Sequence, residues 1–136
     1  LSPTYKGTHT VRWPLLHEKP EWIGVTIHKL DKNLDTGPIL YQSKPNLKQD
    51  WTYRHIEYSL TKLSYDIVEK ALDEVLNNKS TVVNQNLSDG KTYFSKDYTD
   101  ECESRLSQKY VSNQIKKYLS NKEELDRGVK LINEWK

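Results

Sequence analysis

The chain has 136 residues, 35% of them apolar and 29% charged, which suits one domain, or part of one, with a modest core. Lys and Arg total 21 against 19 Asp and Glu, so a formal charge of +2 gives no bulk attraction to nucleic acid or anionic lipid, and neither is expected as a partner. The single cysteine, Cys102, excludes an internal disulfide and a Cys-built zinc cage, and no apolar run approaches the roughly 20 residues that a bilayer crossing needs.

In chain order, "LSPTYKGTH" opens with Pro3 and Gly7 close together and reads as a loop or turn. "THTVRWPLLH" offers Val11, Leu15 and Leu16 at helical spacing, with Pro14 arguing for a short or late-starting helix. Between Trp22 and Ile27 the alternation of Val25 and Ile27 with Thr26 and His28 predicts a half-buried strand. "PILYQ", from Pro38 to Gln42, predicts a second strand, antiparallel to the first across an exposed Asp31–Gly37 turn.

A long helix follows, capped by Asp50 or Thr52, with Ile56, Leu60, Leu63, Ile67, Ala71 and Val75 in one apolar stripe. "STVVNQN" predicts a short strand, and "SDG" a turn into "KTYFS". After Phe94 the composition turns helical, with stripes Val111–Ile115–Leu119 and Leu125–Val129–Ile132, and Ser120 with Glu123 at capping-box spacing between them. The expected division is therefore a body over 1–94 and a helical tail over 95–136, packed on it.

Taken alone, Asp35 is a turn residue, since Asp before Gly accepts local backbone hydrogen bonds. Lys6 reads as solvated and Gly7 as a residue permitting a backbone turn. His28 alone is a strand histidine satisfied by a carbonyl, and His9, His17 and His55 fall at unrelated positions, so no metal site is expected.

The combination is more specific. "SPTYKG", "WPLL", "GVTIH" and "LDTGPIL", followed by the long helix, resemble the C-terminal part of the catalytic domain of the folate-dependent formyltransferases, over roughly residues 1–76. The resemblance implies an α/β fold, the C-terminal half of a Rossmann-like domain in which short antiparallel strands meet a long amphipathic helix, followed by the helical tail. It implies formyl transfer from 10-formyltetrahydrofolate to the amine of a small molecule. Asp35 matches the family's catalytic aspartate and His28 the histidine of its Gly-x-Thr-x-His pattern, where it would orient Asp35. Lys29, Leu30, Asp31 and Leu34 match the loop whose backbone wraps the pterin, so Asp35 is expected to face a cleft bordered by Leu30–Leu34.

The family's Asn-x-His-x-Ser pattern precedes the segment that starts here at Leu1, and this chain does not hold it. The expectation is a piece of a longer protein, or a half completed by another chain, and these 136 residues alone are not expected to turn over. A formyltetrahydrofolate hydrolase, or a non-catalytic partner or pseudoenzyme, stands as the alternative. Purine-pathway members carry a Lys-x-x-Glu pair on the long helix; alignment puts Thr61 and Ser64 there, which weakens a ribonucleotide acceptor. The mixed charge of the tail weakens tRNA as acceptor. A homodimer stays open, and a cytoplasmic location is expected.

Overall fold

The computed structural model describes residues 1–135. It is a mixed α/β structure with two separate two-stranded sheets. Strand β1 (Tyr5–Gly7) pairs in parallel with β4 (Lys91–Tyr93), and β2 (Val25–His28) pairs antiparallel with β3 (Ile39–Ser43). The "SPTYKG" segment is thus not merely a loop: a late strand, distant in sequence, gives its main chain a partner.

Helix α1 spans Arg12–Leu16 and contains Pro14. The proline is tolerated because it occupies the first turn, where its missing N–H would have no intrahelical acceptor. Gly7 sits at φ +92°, and a Cβ there would stand 2.1 Å from the Tyr93 carbonyl oxygen. Only glycine lets β1 approach β4 this closely while turning.

Helix α2 runs Tyr53–Leu76 and is capped by Thr52, not Asp50. The Thr52 Oγ1 accepts from the His55 N–H at 3.4 Å, and His55 Nδ1 accepts from the Thr52 N–H at 3.1 Å, a reciprocal box in which histidine takes the place usual for Glu or Gln. Of its predicted stripe, Ile56, Leu60, Ile67 and Ala71 are buried. Leu63 and Val75 are half-buried. Each fully buried aliphatic side chain contributes roughly 1.5–3 kcal/mol.

"STVVNQN" does not form the predicted strand. Only Val83 pairs, with Ile39, through N–H···O bonds of 2.8 and 2.9 Å. Its polar side chains compete with a ladder: Asn86 Oδ1 accepts from Ser88, and Gln85 reaches away to the β2–β3 turn.

The tail forms α3 (Asp100–Arg105), α4 (Gln108–Ser120) and α5 (Lys122–Arg127). In α4 the buried face is Val111, Gln114, Ile115 and Tyr118, whereas Leu119, placed in the predicted stripe, is 39% exposed. One residue of rotation decides this, because Tyr118 brings its ring to the core and its hydroxyl to Asp126 at 3.0 Å. Helix α5 ends at Arg127, so Val129 and Ile132 belong to a non-helical strap instead. Ser120 caps nothing; its hydroxyl bonds back to the Lys116 carbonyl. The strap lies along β3, with Gln42 N–H donating to Ile132 and Trp135 N–H donating to Gln42.

Residues on both sides of position 94 share one hydrophobic cluster: Tyr5, Leu15, Ile23, Ile56 and Tyr93 pack with Leu106, Val111, Ile115 and Tyr118. Arg12 fastens α1, α2 and α3 together. Its Nε donates to Glu57 at 2.8 Å and its Nη1 to Glu103 at 3.0 Å, while the guanidinium lies over the Tyr53 and Tyr98 rings. Hydrogen bonds from Tyr53, then Tyr98, hold the Glu103 carboxyl below its ordinary range.

Candidate active site

The β2–β3 connection brings Asp35 and His28 together. Asp35 takes a left-handed backbone, φ +56°, unusual for a residue with a side chain. It is followed by Gly37, where a Cβ would stand 1.7 Å from the Lys29 carbonyl oxygen. The turn is therefore closed at its neck, with Lys29 N–H donating to the Pro38 carbonyl at 2.9 Å. Gly37 itself is buried, in contrast to the exposed turn expected throughout Asp31–Gly37.

This backbone swings the Asp35 carboxylate towards β1. Its Oδ2 accepts from the Gly7 N–H at 2.7 Å, and its Oδ1 stands 3.5 Å from His28 Nε2. His28 Nδ1 lies 2.9 Å from the Lys29 carbonyl, which can only accept, so Nδ1 carries a proton. Nε2 is then the ring atom that faces Asp35. One carboxylate oxygen is fixed by a main-chain donor, and the other stands 3.5 Å from an oriented imidazole.

Asp35 and His28 line a cavity of about 120 Å³ with Leu1, Ser2, Tyr5, Thr10, Gly24 and Thr26. The Asp35 side chain is one-third exposed and that of His28 about one-sixth. This is a polar niche at the surface rather than a sealed chamber.

The Leu30–Leu34 segment does not border this cavity, contrary to expectation. It projects outward: Leu30 is 93% exposed and Leu34 half-exposed, and the Lys29 side chain also faces solvent. The cause is local. Asp31 Oδ1 accepts from the Asn33 N–H at 2.9 Å and from the Thr36 hydroxyl at 2.6 Å, so the loop folds on itself. Those two bonds, Thr36 first, lower the Asp31 carboxyl from its ordinary range. Asp31 shapes the loop, while the main-chain groups of Leu30, Lys32 and Leu34 make no hydrogen bond among the described residues.

Among the supporting residues Gln85 carried no functional signal in the sequence, whereas Ser2, Lys6 and Thr26 lie inside the quoted segments. Gln85 Nε2 donates to the Asp35 carbonyl at 3.0 Å and the Gly37 carbonyl at 2.7 Å, and its Oε1 accepts from the Ser2 hydroxyl at 2.6 Å. Thr26 Oγ1 accepts from the Ser2 N–H and from Gln42 Nε2, each at 3.1 Å. Lys6, expected to be solvated, is buried, and its ammonium donates to the Pro3 and Asp89 carbonyls at 3.1 Å each. On α2 the Thr61 and Ser64 hydroxyls bond back to the helix carbonyls of Glu57 and Thr61. Among the described residues no helix is long and apolar enough to cross a membrane.

A family model described as formyl transferase matches residues 1–72. The chain is 35% identical over 75 residues to methionyl-tRNA formyltransferase of Wolbachia sp. subsp. Drosophila simulans (strain wRi), a match covering 55% of this chain and 25% of that protein. Its fold superimposes on the crystal structure of a 4-N formyltransferase from Francisella tularensis with TM-score 0.63 and 28% identity, over 72% of this chain and 39% of the other. WlaRD, a sugar 3N-formyl transferase crystallised with dTDP and 5-N-formyl-THF, gives TM-score 0.63 and 27% identity, over 72% of this chain and 35% of the other. The chain thus spans only a quarter to two-fifths of these proteins' lengths. With more than half of its residues inside the family match, the chain belongs to the formyl transferase family.

Proposed function

We propose that the protein transfers a formyl group from 10-formyltetrahydrofolate to the amine of a small molecule, with Asp35 handling the proton and His28 orienting and relaying it. The observation that carries this reading is the Asp35 carboxylate, anchored by the Gly7 N–H at 2.7 Å and set 3.5 Å from His28 Nε2 at an accessible cavity. A formyl-folate supplies an activated formyl carbon. Asp35 Oδ1 takes the proton that the amine nitrogen sheds as its bond to that carbon forms. The pair then returns a proton to the folate nitrogen whose bond to the same carbon breaks, so the protein ends as it began.

The Leu30–Leu34 segment suits one edge of a pterin. The main-chain groups of Leu30, Lys32 and Leu34 are uncommitted among the described residues, and Leu30 and Leu34 expose apolar surface beside them. The Asn and His of the family pattern would come from sequence outside these residues. For the acceptor, a nucleotide-linked amino sugar is the class supported by similarity to WlaRD, a sugar 3N-formyl transferase crystallised with dTDP, and by neutral Thr61 and Ser64 on α2.

The test is formyl transfer measured in the complete protein against a panel of amines, including nucleotide-linked amino sugars and glycinamide ribonucleotide. Asp35→Asn is expected to lower turnover by about 10²-fold or more on the best acceptor. Turnover within twofold of the parent overturns the assignment.

A further inference from the structure

We propose that Gln85 is a positioning residue for the Asp35 turn, acting from a segment beyond the 1–72 family match and touching no reacting atom. This rests on the function proposed for Asp35.

The geometry is specific. Between Thr81 and Gly90 every residue is exposed except Gln85, so one polar side chain of an irregular segment is drawn inward. Its amide is fully used: two donor bonds reach the carbonyls of Asp35 and Gly37, and the oxygen accepts from Ser2. Because both carbonyls can only accept, Nε2 has to face them, and the amide orientation follows from the chemistry.

What the bonds hold is a conformation that the chain does not favour. Asp35 sits at φ +56°, a strained region for a non-glycine residue, costing about 1–3 kcal/mol unless the surroundings support it. Relaxation to a negative φ would rotate the carboxylate away from the Gly7 N–H and from His28 Nε2. Gln85 spans the turn from the carbonyl of Asp35 to that of Gly37, so its two donors resist this relaxation. The Ser2 hydroxyl gives its one proton to Gln85 Oε1 at 2.6 Å, which holds the Gln85 amide in place from the segment leading into β1. Gly7, Asp35 and Gln85 therefore form one unit: a donor for the carboxylate, the carboxylate itself, and a brace for its backbone.

Glutamate is the informative replacement. Its carboxylate can still accept from Ser2 but presents lone pairs to two carbonyl oxygens, and only the protonated acid regains a donor. Gln85→Leu removes both donors. The complete protein is compared with Gln85→Leu, Gln85→Glu and Asp35→Asn by turnover, by KM for formyl-folate, and by the ¹⁵N shifts of the His28 ring. Gln85→Leu is expected to lower kcat by about 10–100-fold, the scale of a small misplacement of a reacting group, and to shift the Nε2 signal while Nδ1 stays protonated. For Gln85→Glu, activity relative to the parent should rise as pH falls from about 8 to about 5.5, as the acid regains its proton. The inference is overturned if Gln85→Leu keeps kcat within twofold and leaves the Nε2 shift in place, or if Gln85→Glu tracks the parent at every pH. Loss of activity in Gln85→Leu with unmoved ring shifts also overturns it. A parent-like Asp35→Asn instead overturns the function itself, and the ring shifts still report whether Gln85 sets the geometry.

Discussion

The β2–β3 connection and the α4 helix place their side chains by opposite means. In the connection, Asp35 and Gly37 hold a strained, partly exposed turn through backbone contacts and a few hydrogen bonds. In α4, Val111, Ile115 and Tyr118 occupy an ordinary helix whose position comes from burial. The contrast separates the proposed site, set in a locally unfavourable turn, from helices placed by packing. Substitutions in the helix should therefore change stability, and substitutions in the turn should change reaction rate.

The largest effect should come from Ile115→Ala, which opens a cavity at a fully buried site and is expected to cost about 2–5 kcal/mol in chemical denaturation. Formyl transfer per folded molecule should stay near the parent level. Asp35→Asn should do the reverse, losing about 10²-fold in turnover with a melting temperature close to the parent's. Equal stability losses in the two variants would erase the contrast.

Gly7→Ala tests the junction of the two means. At φ +92°, with the Tyr93 carbonyl 2.1 Å from the new Cβ, it should cost about 1–3 kcal/mol or more and also loosen the Asp35 anchor. Both denaturation and turnover should respond, in contrast to either variant above. Thr52→Ala, at the start of α2, should cost about 1 kcal/mol and leave turnover unchanged.

The smallest effect concerns pH. Burial first, then Lys19, Lys91 and Arg105, push His17 below the ordinary histidine range, and the Tyr5 hydroxyl lies 3.1 Å from its Nδ1. The unfolded chain then binds more protons at this group than the folded one near its ordinary titration range. Stability at His17 is therefore present at neutral pH and lost as pH falls through the unfolded and then the folded value. Between about pH 7 and about pH 5.5, His17→Gln should flatten the decline of melting temperature seen in the parent.

Local rules and motif made much of this molecule readable. The α2 stripe, the β2–β3 pairing, and the identities of Asp35 and His28 as candidates follow from periodicity, turn chemistry and a resemblance carried by residues close in sequence. These features depend on neighbours within a few positions, which sequence displays directly. Tertiary structure alone decided the rest. It paired β1 with β4, turned α4 to bury Tyr118 in place of Leu119, and drew Lys6 and Gln85 inward to backbone carbonyls. It also folded the Leu30–Leu34 loop away from the Asp35 cavity. The reason is that each of these depends on where a carbonyl or N–H from a distant segment arrives, and a main-chain group has the same chemistry at every residue but proline.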